Sequence, residues 1–84
     1  MEIEFKRTAL KQLAYYKKKN PKAYQMIYSK IEEIRKNPND IKTKKIKKYP
    51  KYKRVRKGKY HICFRIKDNC IYIGRIDDRG KVYK

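Results

Sequence analysis

Residues 52–66 constrain this chain most: Tyr52-Lys53-Arg54-Val55-Arg56-Lys57, then Gly58-Lys59, then Tyr60-His61-Ile62-Cys63-Phe64-Arg65-Ile66. Cations and apolar residues alternate through both halves, so the stretch reads as two strands joined by a short glycine turn. Successive side chains of a strand point to opposite faces. With Val55 directed into a core, Arg54 and Arg56 both point away from it. In the second strand Tyr60, Ile62, Phe64 and Ile66 share one parity, and His61, Cys63 and Arg65 share the other. The sheet therefore has an apolar face and a face that gathers Arg54, Arg56, His61 and Arg65. That second face is the candidate working surface.

A third strand over 70–77 follows from the pair Asp68-Asn69, a two-residue turn signal. Pairing around it sets Ile66 opposite Ile71 and Phe64 opposite Ile73 on the apolar face, and Arg65 opposite Tyr72 on the other. It also sets Cys70 opposite Lys67, Cys63 opposite Gly74 and His61 opposite Ile76. The last pairing is a mismatch, which a bulge or strand end near Gly74 explains. Residues 77–81 read as a turn, and Val82-Tyr83 as a short final strand.

Upstream, residues 2–6 alternate as a first strand with Ile3 and Phe5 buried. Thr8 stands where a helix cap fits, and Leu10, Leu13 and Ala14 follow at helical spacing, so a helix is expected over 8–19. Asn20-Pro21 restarts the chain as an N-cap and first helical position. The second helix carries Tyr24, Ile27, Tyr28, Ile31 and Ile34 as a core stripe and ends at Asn37-Pro38. Residues 39–51 have no period. They read as a basic connecting loop holding Lys42, Lys44, Lys45, Lys47, Lys48 and Lys51, with Ile46 and Tyr49 as anchors. The expected fold class is α+β in the order β-α-α-β-β-β plus the short final strand. An antiparallel helical hairpin packs on one face of a mainly antiparallel sheet. Residues 1–84 form a single domain at this length.

Charge narrows the function. Against 8 Asp and Glu stand 27 Lys and Arg, a formal net charge of +19 on 84 residues. Such a surface attracts polyanions, so the expected partner is a nucleic acid or an acidic protein. No apolar run approaches the ~18 residues of a membrane span, and no secretory signal opens the chain. Cys63 and Cys70 fit neither a disulfide framework nor a metal site, and with one histidine no metal cluster or cofactor is expected. They read as packing residues in a reducing cytoplasm.

No paired carboxylates, Gly-rich phosphate loop or Ser/His/Asp set stands out. What remains is guanidinium, ammonium, one imidazole and several phenols. Cleavage of an RNA phosphodiester can run on that set, because the substrate brings its own nucleophile, the 2′-hydroxyl. The protein has to orient it, accept a proton and stabilise the charged phosphorane. Arginine forks match phosphate oxygens, and one preorganised donor of this kind is worth ~3–4 kcal/mol of barrier. His61 has the ordinary titration range suited to proton transfer. Lys44, Lys45, Lys47 and Lys48 on the loop, with Lys53, Lys57 and Arg65 on the strands, are candidate RNA contacts.

In these residues the chain resembles the RelE/ParE superfamily of small toxins from type II toxin–antitoxin modules. Arg54-Val55-Arg56-Lys57-Gly58-Lys59-Tyr60-His61 is similar to that family's R-x-R-x-G-x-Y-R, and Arg79 with Tyr83 to its terminal R-x-x-x-Y. The resemblance spans nearly the whole chain and implies a fold like that of small microbial ribonucleases. In the RelE branch it implies a ribosome-dependent, metal-independent endoribonuclease that cuts messenger RNA in the ribosomal A site. The partners it implies are the ribosome with its messenger and an acidic or amphipathic, RelB-like antitoxin. By this likeness Arg54 and Arg56 are the paired cations before the turn. Arg79 stabilises charge and protonates the leaving group, and Tyr83 stacks on a base or assists the nucleophile. The family's arginine after G-x-Y is His61 here. Two other readings stay open: a ParE-like toxin acting on DNA gyrase, and a non-enzymatic RNA- or ribosome-binding protein.

Overall fold

The computed structural model describes residues 1–39, 41 and 43–78. Along the chain run β1 (Glu2–Phe5), α1 (Arg7–Lys19), α2 (Pro21–Lys36), β2 (Lys44–Lys45), β3 (Lys53–Lys57), β4 (Tyr60–Lys67) and β5 (Cys70–Asp78). They form an α+β fold whose five-stranded sheet has the order β1-β5-β4-β3-β2. All neighbours are antiparallel except β1, which runs parallel to β5. The helical hairpin covers one face, with α1 packed on β5 and β1 and α2 on β3 and β4.

Asn20 makes the hairpin tight by serving both helices. Its backbone N–H donates to Tyr16 O at 2.8 Å, closing α1, while its side-chain oxygen accepts from Ala23 N at 3.3 Å, opening α2. The start of α1 differs from the expected one. Lys6 occupies the cap with no side-chain cap bond, and Thr8 lies inside the first turn. The buried stripe of α1 is Ala9, Leu13 and Tyr16, while Leu10 is 54% exposed and Ala14 is exposed. Both stripes share Leu13 and helical spacing. The observed one sets alanine where the helix meets the sheet and buries a tyrosine ring, which removes more apolar area from water. On α2, Ala23, Ile27, Ile31 and Ile34 are buried, Tyr24 packs at their margin, and Tyr28 is largely exposed.

The helices meet Val55, Tyr60, Ile62, Phe64, Ile71, Ile73 and Ile76 from the sheet. Asp68 and Asn69 adopt φ of 51° and 63°, the left-handed pair of a type I′ hairpin. Expected pairings hold at Ile66–Ile71, Arg65–Tyr72, Phe64–Ile73 and Lys67–Cys70. Beyond them the register shifts between Cys63 and Phe64, leaving Gly74 as the extra residue of a bulge. Cys63 then faces Arg75 instead of Gly74, Ile62 faces Ile76, and His61 faces Asp77 instead of Ile76. The bulge rotates Ile76 into the core and turns Arg75 and Asp77 to the open face. Gln12 Oε1 accepts from Ile76 N at 2.7 Å, so α1 satisfies the β5 backbone where β1 no longer reaches.

Two further expectations are corrected. Asp77 and Asp78 belong to β5 and pair with His61 and Tyr60, so the strand continues where a turn was expected. The loop over 39–51 contains the short strand β2, which pairs Lys44 with Arg54 and Lys45 with Lys53. Two lysines carry no strand pattern of their own; the open backbone edge of β3 recruits them. The expected final strand at Val82-Tyr83 lies outside the described residues. Among the described residues no helix is long and apolar enough to cross a membrane.

Candidate nucleic-acid interface

The face of the sheet away from the helices carries rows of side chains set by the register. Lys44, Arg54, Cys63 and Arg75 form one row across β2, β3, β4 and β5. Arg56, His61 and Asp77 form the next, and Arg65, Tyr72 and Glu4 another. Alternation sends Lys45, Lys53 and Lys57 to the helix side of the sheet, away from the arginines they neighbour in sequence.

Above the first row the loop after β2 folds back onto the sheet. Two tight turns shape it, with Tyr49 N donating to Ile46 O at 3.2 Å and Tyr52 N to Tyr49 O at 2.9 Å. Between loop and sheet lies a cleft of about 480 Å³ lined by Lys6, Ile46, Lys48, Tyr49, Tyr52, Arg54, Cys63, Gly74, Arg75 and Asp77. Among the described residues four cations and one carboxylate thus surround a floor of Cys63 and Gly74. Tyr49, half exposed, forms part of the wall. The Tyr52 ring lies against Gly74, and Arg65 Cζ is 6.0 Å from its centroid, so Arg65 supports that wall from beside the cleft.

The floor is electrically quiet and the rim is not. Burial, then the neighbouring Asp77, push the Cys63 thiol up to about 11, against the lowering pull of Arg75 and Arg54. The thiol is therefore neutral at physiological pH. Its Sγ is 3.9 Å from Asp77 Oδ2. Asp77 Oδ1 is 2.7 Å from Arg75 Nε, an ion pair by distance whose N–H is not directed as a hydrogen bond. Asp78, pointing the other way, pairs with Lys59 Nζ at 3.5 Å.

The sequence-level candidates divide across this geometry. Arg54 and Lys48 line the cleft. Lys44 shares the Arg54 row, and Lys47 is exposed on the loop. Arg56 is exposed and its Nε donates to Gly58 O at 2.9 Å, bracing the turn. His61 stands on the expected face, paired with Arg56 and Asp77 across the strands, and is only 7% exposed. Arg79 and Tyr83 lie outside the described residues. Missed were Lys6, Tyr52, Arg75 and Asp77. The last two would have come from following a bulge at Gly74 through to the strand end. Among the described residues no group of three or more His, Cys, Asp or Glu side chains is placed to hold a metal ion.

A two-helix layer on one face of a mostly antiparallel sheet, with the basic cleft on the other, defines a class of small α+β folds. Solved structures place the fold within it. The YoeB/ParE toxin from Agrobacterium tumefaciens superposes with a TM-score of 0.80 at 11% identity, over 93% of this chain and 98% of that one. A chain of the YoeB–YefM complex from Staphylococcus aureus gives 0.76 at 23% identity, over 92% and 94%. A chain of the RelB–RelE antitoxin–toxin complex from Methanococcus jannaschii gives 0.62 at 26% identity, over 94% and 93%. No protein-family model and no curated protein matches the sequence. The chain has the fold of the RelE/ParE toxin superfamily.

Proposed function

We propose that this protein is the toxin of a type II toxin–antitoxin pair and acts as a ribosome-dependent endoribonuclease on messenger RNA in the A site. The observation that carries the reading is the cleft on the open face of this fold, where Lys6, Lys48, Arg54 and Arg75 surround a neutral floor. The reaction is an in-line attack of the substrate 2′-hydroxyl on the adjacent phosphate, giving a cyclic phosphate and a free 5′-hydroxyl. It runs without a metal, since arginines supply the positive charge and the substrate supplies the nucleophile. Arg54, Arg56 and Arg79 stabilise the phosphorane, and His61 and Tyr83 are the candidates for moving the proton and orienting the nucleotide. Geometry held by the ribosome contributes the remainder, since positioning alone reaches roughly 7–11 kcal/mol.

The partner that silences it is an acidic or amphipathic antitoxin. The +19 charge supports this, as do neighbours of the same fold whose structures are complexes of toxin with antitoxin. The deciding experiment supplies programmed ribosomes with the purified protein, with and without a small acidic partner. A-site cuts that Arg79→Ala and Tyr83→Ala each abolish, with ribosome binding retained, are the expected result. Uncut messenger together with inhibited gyrase supercoiling would establish the ParE-like alternative. That reading draws on the similar superposition of a YoeB/ParE toxin and on His61 standing where the family motif has arginine.

A further inference from the structure

We infer that Arg75 grips a backbone phosphate of the bound RNA together with Arg54, and that Asp77 is the carboxylate that positions Arg75 for this. The inference rests on the reading that the cleft binds RNA and adds the residues that receive its phosphate. Arg54 and Arg75 are the direct cross-strand partners of Cys63, one on each side. With strands ~4.8 Å apart, their Cα atoms stand ~10 Å from each other, a span from which two long side chains can close on one anion. Between them in the sheet stands Cys63, whose small neutral side chain does not repel an anion. Both guanidinium groups belong to the lining of the cleft above this floor.

Asp77 decides how Arg75 presents itself. Its side chain is 11% exposed and sits two residues along the same face, with Oδ1 2.7 Å from Arg75 Nε. A carboxylate at Nε occupies the inner edge of the guanidinium and leaves the terminal nitrogens for a ligand. The Arg75 side chain is 49% exposed, so those nitrogens are accessible. A surface ion pair with no further task would need neither the buried carboxylate nor the cleft into which both residues project. Lys6 and Lys48 also line the cleft, and among the described residues four cations against one carboxylate leave a net of about three positive charges for a polyanion.

The test uses the full chain and a short, labelled 2′-O-methyl oligoribonucleotide, which carries the phosphates but no nucleophile. Binding is measured by fluorescence anisotropy. Arg75→Ala is expected to weaken binding by at least about tenfold, and Arg75→Lys to rescue little of it because the fork is lost. Asp77→Asn separates positioning from net charge. Removing a negative charge from the cleft should by itself tighten RNA binding, whereas loss of positioning weakens it, by roughly threefold or more. In an Arg75→Ala background Asp77→Asn should then have no weakening effect. Lys18→Ala, on α1, gives the reference for losing one distant charge.

An unchanged or tighter complex for Asp77→Asn, or an Arg75→Ala effect no larger than that of Lys18→Ala, overturns the inference. Thermal melts accompany each variant. Should Asp77→Asn not fold, the Arg75→Ala and Arg75→Lys arms decide alone, since Arg75 is half exposed. Failure of the wild type to cut ribosome-bound messenger would sink the proposed activity yet leave this binding result standing. Wild-type cutting with Arg75→Ala binding normally would sink the inference and spare the activity.

Discussion

Tyr52 lies so close over Gly74 that a Cβ on the glycine would come within 2.6 Å of Tyr52 Cε2. The contact joins the loop that walls the cleft to the bulge that redirects β5. Gly74→Ala therefore has to push the ring aside. The ring end can move, so the fold is expected to survive at a cost of about 1–2 kcal/mol, with the cleft wall displaced. In a Tyr52→Ala background the same substitution should cost distinctly less, because the obstacle is gone. Urea denaturation of the four proteins measures the difference; equal costs in both backgrounds would mean that the ring is not what Gly74 accommodates.

Gln12 supplies a second link to the bulge. On the β1 side the Ile76 N–H lies beyond the strand pairing, since β1 pairs only as far as Ile73, and the Gln12 side chain accepts it at 2.7 Å. Gln12→Ala leaves that donor to whatever water can reach it, with an expected loss of about 1–3 kcal/mol. Hydrogen exchange gives the local readout. The Ile76 amide should lose protection in the variant, while that of Ile71, held in the parallel β1–β5 ladder, keeps it.

These two contacts also show where sequence reasoning stopped. The hairpin around Asp68-Asn69 was legible because two left-handed residues fix the turn and the turn fixes the register. Ile76 announced trouble by falling on the wrong face, and the bulge at Gly74 was legible as its remedy. Its consequence is a tertiary fact: Asp77 becomes the partner of His61, and Arg75 enters the cleft. The α1 stripe was misplaced for a related reason. Leu10 and Ala9 both continue a helical pattern through Leu13, and only the sheet beneath decides that the smaller residue goes inward. Strand β2 was invisible because backbone, with no side-chain pattern, makes its pairs.

Helix capping separates two residues that look equivalent in sequence. Asn20 accepts from Ala23 N, whereas Thr8 lies within the first turn of α1 and caps nothing. Asn20→Ala should cost about 1 kcal/mol. Thr8→Ala should be neutral or slightly stabilising, since alanine is the better helix former at an exposed position. Chemical denaturation midpoints distinguish them, and a loss at Thr8 equal to that at Asn20 would contradict the observed start of α1.

Alkaline pH should destabilise the protein through two buried acids. Cys63 rises from 9.0 to about 11, by burial first and then by Asp77. Tyr16 rises from 10.0 to about 12, by burial first and then by Asp78, with its ring set edge-on to Tyr60 at 5.4 Å. Each folded-state value lies above the unfolded one, so between them the native state holds the proton that the unfolded chain has released. The contribution is complete below pH 9.0 for the thiol and below 10.0 for the phenol. It is then lost progressively as pH rises through about 11 and about 12. Cys63→Ala should flatten the earlier part of the decline and Tyr16→Phe the later part. Melting temperatures measured from pH 8 to 12 test this, and a wild-type profile flat above pH 9.0 would refute it.

Alternation along β3 offers the sharpest test of which face meets RNA. Arg54 and Lys53 are neighbours in sequence and carry the same charge, yet the register sends Arg54 to the cleft side with Lys44, and Lys53 to the helix side with Lys45. General attraction by a +19 chain would make the two nearly interchangeable. Contact with phosphates at the cleft would not. For a single-stranded ligand each lost phosphate contact lowers the slope of log affinity against log salt by about 0.7. Arg54→Ala should show that change and Lys53→Ala little of it, with Lys44→Ala and Lys45→Ala dividing in the same sense. Titrations of a single-stranded oligonucleotide at several salt concentrations read the slopes directly. Equal slopes for Arg54→Ala and Lys53→Ala would mean that the protein holds RNA by its overall charge and not by the open face of the sheet.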